Sequence, residues 1–255
     1  MTLVVIFFIV PHFVSIDTPG IRRIFDAQGW LWAYSEDIAI AVHNDDFFDP
    51  DWLWVGHFWS LAVEEHFYLV WPLVVWMCSR RALLWTSLGL IVVTPLVRFA
   101  MIAGHMVPAA VYTLTICRTD ELAVGGLLAL LMEDSSYERM AKLARACGGA
   151  SVLYLVVVVA LRRKPFYWDH WSALGVGFSA LAAGAAALVV FALAPERNGL
   201  RRVLENRVLM GFGKYSYGAY VFHTPLQPLY LRLFPPQRIA AISQTQTVFR
   251  VRRPR

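Results

Sequence analysis

Glu64 and Glu65 stand side by side in an otherwise apolar stretch, and Arg118, Asp120 and Glu121 form a second charged group in another. Charged groups in a low-dielectric surround must find partners or change protonation, so such clusters are suited to moving protons and holding a polar substrate. By helical spacing Ser60, Glu64, Phe67 and Tyr68 share a face that Trp71 extends, so a hydroxyl, a carboxylate and aromatic rings would line one wall. Two adjacent carboxylates repel, so at least one of Glu64 and Glu65 is expected to be neutral or paired, with Arg118 the available cation. The plainer alternative is that Arg118 closes a structural ion pair with Asp120, Glu121 or a glutamate opposite. His223 ends the run Tyr217-Gly218-Ala219-Tyr220-Val221-Phe222-His223, with Tyr220 three residues earlier on nearly the same face. A neutral imidazole there can act as base, proton relay or hydrogen-bonding group. A structural histidine bonded to a neighbouring helix fits equally well.

Other chemistries find less support. Cys78, Cys117 and Cys147 are isolated, with no CxxC spacing, and read as packing residues. The other histidines fall mostly near segment ends or in loops with no metal-ligand spacing, so no metal site is expected. His12 and Asp17 spell HxxxxD, an arrangement in which an aspartate orients a histidine base. With seven histidines in the chain one such coincidence is unsurprising, and the α/β context it requires is missing from this helical sequence.

The elements that must position these groups are membrane helices. The chain is 58% hydrophobic and 16% charged over 255 residues, a balance that makes lipid the solvent. Runs such as 83–103 and 172–194 carry few charges over about 20 residues, enough to cross roughly 30 Å of hydrocarbon. The expected fold is an all-α polytopic transmembrane helix bundle of seven spans: 1–14, 57–78, 82–103, 109–132, 147–161, 171–194 and 208–233. The stretch 30–42 is apolar but short and carries Glu36 and Asp37, which favours an interfacial or re-entrant helix. Residues 1–236 form one membrane domain, and 237–255 a polar, basic tail.

The net charge of +5 resides in short clusters between apolar runs, which reads as loop anchoring and not as a nucleic-acid surface. Arg80 and Arg81; Arg139, Lys142 and Arg145; and Arg197, Arg201, Arg202 and Arg207 fall on one face of the layout, taken as cytoplasmic. Arg162, Arg163 and Lys164 are the exception. Glu64 and Glu65, Arg118 with its neighbours, and His223 then lie at one level, in the outer half.

The run His57-Phe58-Trp59-Ser60-Leu61-Ala62-Val63-Glu64-Glu65-His66-Phe67-Tyr68-Leu69-Val70-Trp71-Pro72 closely resembles the signature of the acyltransferase 3 family, membrane enzymes that O-acylate sugars. Arg118-Thr119-Asp120-Glu121-Leu122 with Gly125-Gly126, and 213–223, fit the same family in order and spacing. The resemblance implies a multi-pass protein of the bacterial inner membrane. Its activity would be transfer of an acyl group, commonly acetyl, from acyl-CoA as co-substrate. The acceptor would be a hydroxyl of lipopolysaccharide, peptidoglycan, exopolysaccharide or a similar glycan or glycolipid. No bound cofactor is implied. Glu64, Glu65 and His223 are the expected catalytic residues, and Ser60, Tyr68, Arg118, Asp120 and Tyr217 the substrate-binding ones. His66 departs from the family's more usual glutamine. The resemblance also implies two preceding spans carrying an essential arginine and histidine, and a further apolar span where 237–255 is polar, so the chain is expected to be an incomplete enzyme. Two rivals stand beside this reading: a polytopic transporter, and a catalytically inactive fragment or pseudoenzyme.

Overall fold

The computed structural model describes residues 19–43, 55–162, 170–196, 198–226 and 233. Among them the secondary structure is helical: α1 (Pro19–Asp26), α2 (Gln28–Trp32), α3 (Glu36–His43), α4 (Trp59–Met77), α5 (Arg80–Ala103), α6 (Pro108–Thr113), α7 (Thr119–Asp134), α8 (Tyr137–Arg162), α9 (Phe178–Ala192), α10 (Gly199–Leu204) and α11 (Arg207–Phe222). A 3-10 turn, Gly56–Phe58, leads into α4, another, Thr115–Cys117, precedes α7, and a π turn, Ala173–Gly177, opens α9. Helices suit a membrane because they satisfy their own backbone groups where water is scarce.

Three helical segments are long and apolar enough to cross a membrane: Arg80–Ala103, Tyr137–Arg162 and Ala173–Ala192. They correspond to the expected spans 82–103, 147–161 and 171–194. The expected span 1–14, the HxxxxD pair and the tail 237–255 lie outside the described residues, as do residues 227–232 of the span 208–233.

Two expectations need correction. Arg139, Lys142 and Arg145, taken for loop residues, lie on the first turns of α8, which begins ten residues before the expected span. The expected continuous span 109–132 is broken: α6 ends at Thr113, Leu114 is extended (ψ 134°), and α7 starts only at Thr119. The cause lies across the chain, because Asp37 captures both the Thr115 N–H (3.2 Å) and its hydroxyl (2.8 Å).

α8 and α9 pack most extensively, with α5 against α7 beside them and α9 also touching α7. α3, α4 and α6 form a second group. Gly126 allows α7 to meet α4, since a Cβ there would lie 2.7 Å from the Trp71 ring. At one end of the bundle Arg80 joins Glu133 and Asp134, each at 2.6 Å, so the turns after α4 and after α7 are neighbours, as the charge layout requires. At the other end Ile24, Leu31, Ala39, Ile40, Val55, Phe58, Ala109 and Val221 form one buried cluster. That cluster fixes the lead-in to α4 and the last turn of α11 against α1, α2, α3 and α6, and those are the elements that carry the polar groups.

Candidate functional site

At the junction of α4 and α11, the Tyr220 hydroxyl donates to the His57 carbonyl at 2.8 Å and makes a short hydrogen bond with the Ser60 hydroxyl. Ser60 also lies 3.2 Å from that carbonyl. His57, His223 and Tyr220 pack ring against ring, with the two imidazole centroids 4.9 Å apart and His57 5.2 Å from the phenol. Thr224 Oγ1 is 2.9 Å from His57 Nδ1. His223 Nδ1 is 2.6 Å from the Tyr220 carbonyl oxygen. A carbonyl can only accept, so Nδ1 carries the proton and Nε2 is the basic nitrogen of the neutral ring. His223 as a residue is exposed. Glu64 is half-buried on the same face of α4 as Ser60, within electrostatic reach of the Tyr220 phenol. Hydroxyl, imidazole and carboxylate therefore converge from residues some 160 positions apart.

The next residue, Glu65, turns about 100° around the helix. It belongs to a different group, with Tyr34, Tyr217 and Glu36. Burial first, then the charges of Glu65, Tyr217 and Glu36, push the Tyr34 phenol above its ordinary value. Tyr34 is held at φ 49°, a left-handed conformation uncommon for a bulky side chain, in the turn between α2 and α3. Glu36 and Asp37, whose stretch was expected to form an interfacial or re-entrant helix, are buried at 2% and 1% exposure, and Glu36 Oε2 and Asp37 Oδ1 have no hydrogen-bond partner among the described residues. Desolvation raises Glu36 to about 8, so it is largely a neutral acid at pH 7. Asp37 Oδ2 accepts from Thr115, whose hydroxyl is 2.8 Å from His66 Nδ1. With the Thr115 proton given to Asp37, His66 Nδ1 is the donor to Thr115.

Arg118 follows the plainer of the two expectations, a structural ion pair with Glu121, and Asp120 takes Arg98 as its partner. Arg118 pairs with Glu121 at 2.6 Å, donates to the Tyr112 carbonyl at 2.7 Å and sits over the Trp59, Tyr112 and Phe178 rings at 5.2, 4.6 and 4.0 Å. No ion pair joins it to Glu64 or Glu65 among the described residues. The aromatic surround explains the choice, since a guanidinium stacks on ring faces and the adjacent turn supplies its carboxylate. Asp120 is fully buried against Arg98, with both oxygens bonded at 2.9 Å, and Ser179 donates to it at 2.5 Å. Its two oxygens are thus committed to the protein, which does not favour the substrate-binding role expected of it. Tyr68, one turn past Glu64, is 57% exposed and Tyr217 67%. Phe67 stacks on Trp71 at 5.0 Å.

The sequence reading missed Arg98, His57, Tyr34, Thr115 and Thr224. Arg98 did carry a usable signal, because a lone arginine deep in an apolar run requires a partner. Among the described residues no group of three or more His, Cys, Asp or Glu side chains is arranged to hold a metal ion.

An all-α membrane protein with a hydroxyl, imidazole and carboxylate site at one end of its bundle is the class these features define. The chain belongs to the acyltransferase 3 family, matching its acyltransferase domain over residues 2–249. It is 27% identical over 226 residues to the O-acetyltransferase OatA of Staphylococcus aureus (strain NCTC 8325 / PS 47), covering 84% of this chain and 35% of that protein. It is 24% identical over 247 residues to the peptidoglycan O-acetyltransferase OatA of Listeria monocytogenes serovar 1/2a, covering 90% and 37%. It is also 25% identical over 234 residues, 80% and 36% of the two chains, to YrhL of Bacillus subtilis (strain 168), whose name proposes peptidoglycan O-acetyl transfer. The chain thus spans about a third of the length of these relatives. No solved structure matches it.

Proposed function

We propose that this chain is the membrane domain of an O-acyltransferase that moves an acetyl group from acetyl-CoA to a hydroxyl of a cell-envelope glycan, with peptidoglycan the acceptor. The observation that carries the reading is the convergence of Ser60, Tyr220, His57, His223 and Glu64 at the α4–α11 junction, built on the stretch that resembles the family signature. The relatives' names favour acetyl and peptidoglycan over lipopolysaccharide.

In this reading the acceptor hydroxyl binds near His223 Nε2, which takes its proton as the oxygen attacks the acyl carbon. The new C–O bond forms, the thioester C–S bond breaks, and the thiolate leaves and is protonated. Ser60 and Tyr220 orient the acceptor through their hydroxyls, and Glu64 balances the imidazolium. Glu65, on another face of α4, and Tyr217 of α11 serve a neighbouring part of the acceptor. Arg118 and Asp120 hold the helices that frame the site and do not touch substrate.

The test is expression in a host deficient in envelope O-acetylation, in membranes supplied with acetyl-CoA, with mass spectrometry of the glycan. An acetyl-sized gain that disappears in Glu64→Gln and His223→Gln, while both variants insert normally, is the expected result. No gain from a stably inserted wild-type chain would refute self-sufficient activity in these residues, and a gain that survives both substitutions would refute the site. Solute flux through reconstituted vesicles without acetyl transfer would favour a transporter instead.

A further inference from the structure

Away from the polar site, α5, α7, α8 and α9 surround a partly open cavity of about 210 Å³. Its lining is apolar throughout, with Leu131, Met140, Ala144, Cys147, Ala183 and Ala187 among the walls. The space follows from the packing of α8 on α9. A Cβ on Gly148 would lie 2.9 Å from that of Ala187, so small residues bring these two helices together. The side chains they turn towards α7 include Ala144, Ala183, Ala186 and Ala187, which are too short to fill the gap. Water entering it would find no hydrogen-bond partners, and apolar cavities of this kind stay dry. Three of the four surrounding elements belong to segments long and apolar enough to span a membrane, so the medium at its opening is hydrocarbon.

The cavity lies towards the basic end of the bundle. Leu143, Ala144 and Cys147 of α8 line it, and Arg139, Lys142 and Arg145 occupy the same two turns, exposed and forming no ion pair among the described residues. Arg139 to Cys147 spans about 12 Å of helix, so a headgroup at the basic side chains places the upper part of its own chain beside the cavity. We propose that this cavity seats the acyl chain of an anionic bilayer phospholipid, whose headgroup lies against the basic first turns of α8. Apolar lining selects hydrocarbon, and the adjacent cations select a negative headgroup over a zwitterionic one. The site is independent of the acyl-transfer reading, since none of its residues belongs to the α4–α11 junction.

Photolabelling of the full chain in nanodiscs tests this. The probes are phosphatidylglycerol and phosphatidylcholine bearing a diazirine in the acyl chain, with adducts mapped by peptide mass spectrometry. Adducts should concentrate on Leu143, Ala144, Cys147 and 183–187, above those on exposed apolar residues such as Val92, Leu96 and Val152. Phosphatidylglycerol should label the cavity at least about fivefold more than phosphatidylcholine, the factor that one nearby basic side chain is worth. Ala183→Phe should reduce cavity adducts to the level of the exposed faces, and Arg139→Gln with Lys142→Gln and Arg145→Gln should remove the headgroup preference. Adducts spread evenly over the apolar surface, or equal labelling by the two lipids, would overturn the proposal. The wild-type distribution decides even if a cavity-filling variant fails to insert.

Discussion

Replacing Arg98 by methionine removes the donor at the centre of a buried network. Its guanidinium, at 0% exposure, donates to both Asp120 oxygens at 2.9 Å, to Ser179 at 2.6 Å, to the Cys117 carbonyl at 2.5 Å and to the Gly175 carbonyl at 3.0 Å. Breaking a buried ion pair from one side costs about 3–5 kcal/mol, because the remaining charge loses its partner without regaining water. Arg98→Met and Asp120→Asn should each lose about that much, measured by equilibrium unfolding in mixed micelles of mild and denaturing detergent. In the double variant the stranded-charge penalty disappears, while the two carbonyls stay unpaired at about 1–3 kcal/mol each. The double variant should therefore cost about 2–6 kcal/mol, against the roughly 6–10 kcal/mol of simple addition, a coupling of about 4 kcal/mol. An additive cycle would refute the assignment of Asp120 to this network. So would an Asp120→Asn protein of unchanged stability that had lost only its affinity for acceptor, since that pattern belongs to a substrate-binding residue.

Further outcomes follow from the same geometry. Ser60→Ala and Tyr220→Phe should each lower acetyl transfer at least about tenfold, as a positioned hydrogen bond to a reacting group is worth about 1.4 kcal/mol or more, and should leave the unfolding midpoint nearly unchanged. His223→Gln should lose about 10²–10⁴-fold in rate, the contribution of a positioned general base, with the variant still inserting normally. Glu36, with its acid held at about 8 by burial, binds a proton in the folded chain that the unfolded chain releases near the ordinary value of 4.5. Its stabilising contribution is therefore complete below about 4.5 and fades as pH rises through 8; thermal melts from pH 5 to 9 should show this loss, and Glu36→Gln should flatten it. Gly126→Ala drives a methyl into the Trp71 ring, to which it would stand at 2.7 Å, and should cost about 1–3 kcal/mol, recovered in part by Trp71→Leu in the same melts.

The helical class and the three longest membrane segments were legible because uninterrupted apolar runs leave little else for the chain to do. The break at Leu114 was not, since Leu114 is itself apolar and the interruption is imposed by Asp37, 78 residues from Thr115. Ser60, Glu64 and His223 could be singled out one at a time by residue type and depth. What joins them is Tyr220 reaching Ser60 and the His57 carbonyl, a contact between distant segments that no local period encodes. Arg118 was legible in part, since its pairing with Glu121 was one of the two readings its spacing allowed. Its charge was legible, but Trp59, Tyr112 and Phe178 come from three separate elements, so the aromatic box that turns it away from Glu64 emerges only on folding. Arg98 was passed over because one cation among so many apolar neighbours hardly changes the character of the run.

α11 touches its surroundings chiefly at its last turn, where Val221 is buried at 2% exposure, while Val208, Phe212 and Tyr215 stand 65%, 72% and 67% exposed. Its far end works like a key whose teeth are the residues from Tyr217 onward and whose shaft is free to vary. Residues can be added or lost between Asn206 and Gly213 without disturbing which side chain meets Ser60, because the seated turn sets its own register. A single insertion between Tyr217 and Tyr220 would instead rotate the teeth by about 100° relative to one another, so Glu64 and Glu65 could no longer be served by the same helix at once.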